Sequence, residues 1–192
     1  MRLWTVQPYC VYETLQSDGI FRCIPELSSN LIYKDFVNAY DWLSKEMKER
    51  IGNPPEGVKY PIWAWFRVEG ENKKPDMRKF AYKVSEKSVV LEIEIPDIDV
   101  LLTDYTMWHS VLNDSLNFKV NYVEDISYEE WNILSEKELE YYNSLSAEAG
   151  RLYKEKSWKR VICSQMDNYK FIQATFWELK KSQIKKVWVL KG

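Results

Sequence analysis

Tyr60-Pro61-Ile62-Trp63-Ala64-Trp65-Phe66-Arg67-Val68 is the stretch that decides the fold. In extended backbone, successive side chains point to opposite faces. Ile62, Ala64, Phe66 and Val68 therefore share one face, and Trp63, Trp65 and Arg67 share the other. Apolar character on both sides predicts a strand covered on both faces, in the middle of a sheet. Ser88 to Ile95 repeats the pattern, with Val89, Leu91, Ile93 and Ile95 on one face and Val90, Glu92 and Glu94 opposite, before Pro96 closes it. Toward the N-terminus, Arg2 to Gln7 reads as a short strand and Pro8 suits a first helical turn, where a missing N–H costs nothing. Val11, Tyr12 and Leu15 lie at helical spacing and Gly19 is the stop. Ile20 to Ile24 is extended. Ser28 and Ser29 open a longer helix with a stripe of Ile32, Phe36, Ala39, Tyr40, Leu43, Met47 and Ile51, ended by Gly52 and Pro54-Pro55.

Toward the C-terminus, Asp97 to Thr103 reads as a short acidic connection, and Asp104 as the N-cap of a helix containing Met107, Trp108, Val111 and Leu112. Ser127 begins another helix, with Glu129 and Glu130 where the positive dipole end favours them, and a break at Ser135 as an open alternative. Trp158 to Cys163, Lys170 to Leu179 and Lys186 to Leu190 read as final strands. The expectation is one α+β domain over residues 1–192, a mixed, mostly antiparallel sheet core with flanking helices.

Composition bounds the function. Apolar residues at 45% and charged residues at 29% are ordinary for a globular chain, which argues against a disordered or fibrous protein. A formal charge of −2 weighs against a broad duplex-binding footprint, which needs a basic excess. The outlier is aromatic, with nine Trp and thirteen Tyr. The opening residues lack a secretory signal, and the longest apolar run, Tyr60 to Phe66, falls far short of the ~20 residues that span a bilayer. Cys10, Cys23 and Cys163 form no C-x-x-C, so free thiols in a reducing cytoplasm are expected, without a membrane or a metal site.

Glycine-rich phosphate cradles are absent, and His109 is the only histidine. A Cys163–His109 nucleophile–base pair competes with a plain packing role for His109. Glu92 and Glu94 share a strand face, which suits either a coupled acid/base pair or ion pairing with lysines. Asp97, Asp99 and Asp104 lack the spacing of a cation loop and suit a turn. Trp63, Trp65 and Arg67, about 7 Å apart in a row, can stack a flat ligand while Arg67 takes its phosphate or carboxylate. Equally, they form a core row with Arg67 paired to Glu92 or Glu94. The basic run from Asn72 to Lys87 can steer an anionic ligand or a polynucleotide, and aromatics interleaved with cations also describe a single-strand groove.

The strings MRLWTVQP, YPIWAW, VVLEIEIPDIDVLLTDYTMWHSVLN and IQATFWELKKSQIKKV resemble a bacterial family catalogued as domain of unknown function 3841, over almost the whole chain. More distantly, Leu3-Trp4-Thr5-Val6-Gln7 followed by Gly19, with Ile172-Gln173-Ala174 and Ile184 to Val189 late in the chain, resembles ADP-ribosyltransferase-like domains of the DNA-modifying toxin type. In those domains a histidine stands where this chain has Thr5, a threonine where it has Gln7, and a glutamate where it has Gln173. The resemblance implies a cleft for NAD, with Thr5 and Gln7 on the nucleotide, Trp63 or Trp65 stacking, and Gln173 on the ribose. Glu178, Glu92 or Glu94 would supply the missing charge, whose loss costs ~3 kcal/mol or more of transition-state stabilisation. A nucleotide-binding protein that transfers ADP-ribose is thus one expectation. A non-catalytic module holding a protein partner or single-stranded nucleic acid is the other.

Overall fold

The computed structural model describes residues 1–25, 34–76, 87–119, 126–163 and 169–190. The elements in chain order are β1 (Arg2–Pro8), α1 (Tyr9–Asp18), β2 (Ile20–Arg22), α2 (Lys34–Ile51), β3 (Ile62–Arg67), β4 (Ser88–Glu94), β5 (Leu101–Asp104), α3 (Tyr105–Leu112), α4 (Tyr128–Asn143), α5 (Ala147–Trp158), β6 (Ile172–Phe176), β7 (Glu178–Lys180) and β8 (Ile184–Leu190). Six strands pair antiparallel in the order β5-β6-β3-β1-β4-β8, and β2 pairs with β7 in a separate ribbon. The chain is α+β, as its patterning predicts.

The period-two patterning of β3 and β4 divides the core. Leu3, Ile62, Ala64, Val89, Leu91, Ile93, Ala174 and Phe176 lie on one face of the sheet and are at most 3% exposed. Val11 and Leu15 of α1 and the ribbon residues Phe21 and Leu179 cover them. The opposite face carries Trp63 and Leu101 against Tyr40, Leu43 and Met47 of α2 and Trp108 and Val111 of α3. Each large aliphatic or aromatic side chain so buried contributes roughly 1.5–3 kcal/mol. Gly19 stops α1 at φ +77°, a conformation that costs other residues, and its carbonyl accepts from the Lys181 N–H at 2.8 Å, which seats the ribbon.

Capping chemistry reads through faithfully. The Asp104 carboxylate accepts from the Met107 N–H at 2.7 Å, and Ser127 with Glu130 closes a reciprocal capping box on α4. Five expectations need correction. Only Asp97–Asp99 forms a 3-10 turn in the acidic connection. The residues after it are strand β5, because Leu101 and Thr103 are buried alternately along it. Trp158 to Cys163 is not a strand. Ser146 caps α5, which runs through Trp158 into a 3-10 turn at Lys159–Val161, and only Ile162 bridges to Thr103. Helix α4 has no break at Ser135, whose hydroxyl donates back to the Asn132 carbonyl at 3.0 Å. Lys170 to Leu179 divides at Trp177, whose indole N–H donates to the Gly52 carbonyl at 2.9 Å between β6 and β7. Pro8 is the last residue of β1, one place before the helix. The Ser28-Ser29 helix start and residues 77–86 of the basic loop lie outside the described residues.

Candidate functional site

The residues that sequence reasoning grouped into one cleft are divided by the sheet itself. Strands β1 and β6 both pair with β3 and not with each other. Thr5 stands opposite Leu91, on the aliphatic face, where its hydroxyl donates to the Trp63 carbonyl at 2.7 Å and accepts from Gln7 Nε2 at 2.7 Å. Gln173 stands opposite Trp65 and Thr103 on the other face. The indoles are packing groups rather than an open platform. Trp63 lies 6.0 Å from Tyr40 and 5.1 Å from Trp108 between ring centroids, and Trp65, 3% exposed, lies 5.0 Å from Tyr105.

Arg67 does not continue their row. The register shifts by one residue between Trp65 and Arg67, so Phe66 is extra and Arg67 falls opposite Ile172. Its Nη1 donates to the Tyr169 carbonyl at 3.5 Å. Glu92 and Glu94 pair with cations other than Arg67. Glu92 accepts from the Trp4 indole at 3.3 Å and lies 3.6 Å from Lys186, while Glu94 lies 3.2 Å from Lys185. Glu178 sits in the ribbon, 3.1 Å from both Arg22 and Lys180. Burial raises its pKa, but those two cations outweigh that effect and hold it below the usual carboxylate range.

The cationic concentration lies elsewhere. Arg50 at the end of α2, Lys119, and Lys159 with Arg160 in the turn after α5 surround a hollow of about 530 Å³, completed by Ile162, Cys163 and Tyr169. Two buried carboxylates hold three of these cations, Arg50, Lys159 and Arg160, in place. Glu46, 2% exposed, lies 3.3 Å from Arg50 Nε and 3.3 Å from Lys159 Nζ. Glu138, 9% exposed, accepts from the Lys119 N–H at 2.6 Å, the Tyr153 hydroxyl at 2.9 Å and Arg160 Nη1 at 3.2 Å. Arg160 Nη1 also donates to the Asn117 carbonyl. Four cations against two carboxylates leave an excess of two positive charges among these groups.

The floor of the hollow is not nucleophilic. Burial, and secondarily the charge of Asp104, pushes the Cys163 thiol up to about 12, against a smaller pull from Arg67, so the thiol stays protonated at neutral pH. His109 is exposed on α3. Its Nδ1 lies 2.8 Å from the Tyr105 carbonyl and its ring meets Tyr105 edge-on at 4.6 Å. Burial also raises Tyr169, helped by the charges of Cys163 and Asp104. The four cations come from three separate parts of the chain. The adjacent Lys159-Arg160 and the i,i+4 spacing of Glu46 and Arg50 were the available signals, and each alone reads as ordinary surface charge.

Over residues 2–185 the chain matches the family described as Domain of unknown function (DUF3841). The chain belongs to that family. No curated protein and no solved structure matches it. The first resemblance read from the sequence is thereby established, and the one to ADP-ribosyltransferases finds no support in these comparisons. Among the described residues of this DUF3841 chain, no helix is long and apolar enough to cross a membrane.

Proposed function

We propose that this DUF3841 chain binds a phosphate-bearing small molecule of the nucleotide class, with NAD as one candidate, in the basic hollow. The observation that carries this reading is the pair of buried carboxylates, Glu46 and Glu138, which between them fix Arg50, Lys159 and Arg160 around one concavity. Burying a carboxylate is costly, and a merely solvated basic surface does not require it. The volume of about 530 Å³ falls within the roughly 300–1,000 Å³ typical of small-molecule sites. Ile162 and the Tyr169 ring offer apolar surface for a base or ribose beside the cations.

The reading is one of binding and not of ADP-ribose transfer. Transfer needs a negative charge beside the ribose, whereas the cross-strand neighbours of Gln173 are Trp65 and Thr103. The candidate carboxylates Glu92, Glu94 and Glu178 are each paired with lysine or arginine. Calorimetric titration with NAD, ADP and AMP at millimolar concentration tests the proposal. Saturable heat, a raised melting temperature and weakening with salt are expected, together with weaker binding of NAD and ADP in Arg160→Gln. Absence of heat and of a thermal shift for all three ligands overturns it. Tighter binding of a single-stranded oligonucleotide than of any mononucleotide moves the reading to an interaction module.

A further inference from the structure

The cations of the hollow are divided into two sets, and the division has a chemical meaning. On one wall Glu46 holds Arg50 and Lys159, and on the other Glu138 holds Arg160 and the backbone N–H of Lys119. Lys159 and Arg160 are neighbours in a single turn, yet they reach different carboxylates. That turn therefore joins the two walls. Each carboxylate offsets one of the two side-chain cations on its own wall, which leaves one unmatched positive charge per wall. Behind the second wall, the carbonyl of buried Asn117 accepts from Arg160 and helps to fix its guanidinium.

Resting on the nucleotide reading above, the geometry points to a ligand with two linked phosphates, such as the diphosphate of ADP or of a dinucleotide, with one phosphate seated on each wall. A hollow of about 530 Å³ is only about 10 Å across, so flexible lysine and arginine stems from both walls converge on such a group. A monophosphate fills one seat and leaves the other wall's charge without an anion. Among the described residues a third phosphate finds no third seat.

The test uses the full chain at fixed ionic strength, titrated with AMP, ADP and ATP, and separately with orthophosphate and pyrophosphate. ADP is expected to bind at least about tenfold tighter than AMP, as one added charged hydrogen-bonded contact provides, and pyrophosphate to exceed orthophosphate similarly. ATP is expected to match ADP within about threefold. Lys119→Gln and Lys159→Gln alter one wall each, at side chains that reach water. Each is expected to remove most of the ADP preference while AMP still binds, with melting curves confirming the fold, and Lys185→Gln on β8 is expected to change nothing.

Equal affinities for AMP and ADP overturn the two-seat inference and leave nucleotide binding standing. A steady rise from AMP through ADP to ATP by similar factors also overturns it, because net charge alone then explains the order. An ADP preference that survives both lysine variants places the diphosphate elsewhere and overturns it too. Failure of every ligand to bind defeats the nucleotide reading itself, and this inference with it.

Discussion

Replacing Glu138 by glutamine removes one charge and almost nothing in volume, so it isolates the electrostatic part of the hollow's framework. In the native chain the two carboxylate oxygens accept from the Lys119 N–H at 2.6 Å, the Tyr153 hydroxyl at 2.9 Å and Arg160 at 3.2 Å. A glutamine offers one acceptor oxygen, and its NH₂ must then face a donor. Leaving a buried donor unsatisfied costs about 1–3 kcal/mol, and breaking a fully buried ion pair costs about 3–5 kcal/mol. Arg160 retains 27% of its side-chain exposure, so water recovers part of the second cost. A net loss of about 2–3 kcal/mol follows, which corresponds to a melting temperature lower by roughly 5–10 °C for a chain of this size. Urea unfolding followed by tryptophan fluorescence should show a lower midpoint with an unchanged slope. A melting shift under about 1 °C would refute the view that Glu138 organises this wall.

Burial raises Asp104 above its ordinary value of 3.8, in spite of the Met107 and Thr106 N–H groups that lower it. The native state therefore binds more protons there than the unfolded state. That contribution is complete below the unfolded pKa and is lost as pH rises through the raised folded one. Asp104→Asn keeps a capping oxygen, so its stability relative to the native chain should climb as pH increases upward from about 4 and then level off. Melting curves at about pH 3 to about pH 8 measure this, and a constant difference contradicts it. A maleimide at neutral pH should modify exposed Cys10 and spare Cys163, whose thiol is held protonated, and peptide mass spectrometry reads the outcome. Gly19→Ala should cost about 1 kcal/mol through its left-handed backbone, since an added Cβ meets nothing within 4 Å. A neutral result in thermal melting would sink that reasoning.

The parts of the fold legible in the sequence are those where one physical signal dominates. Strand β3 announces itself because both its faces are largely apolar, β4 because Val89, Leu91 and Ile93 alternate with the residues of its other face, and α1, α3 and α4 because a glycine stop, an aspartate cap and a capping box mark their ends. Strand β5 is only four residues long, too short for its alternation to stand out beside the acidic residues before it. Helix α5 carries Arg151, Lys154, Glu155 and Lys156 and few apolar residues, so its buried Gly150, Ser157 and Trp158 give no readable stripe. The site was harder still. Thr5, Gln7 and Gln173 looked alike as polar residues on strands, but which face each one takes depends on strand order, a long-range property. The hollow draws on positions 50, 119, 159 and 160, which only the folded chain brings together.

The additional residue at Phe66 has a bearing on how this chain can change length. Almost anywhere else along β1, β3 or β6, a one-residue insertion or deletion would exchange the two faces of everything beyond it, driving indoles into the aliphatic core and aliphatic side chains into the aromatic one. At Phe66 the strand has already absorbed such an insertion. Excising it would leave Arg67 facing Ile172 as before and turn the irregular step into ordinary pairing, with the loss of one partly buried ring. Indels in β3 should therefore accumulate at this position, which acts as a slip joint in the β3–β6 ladder.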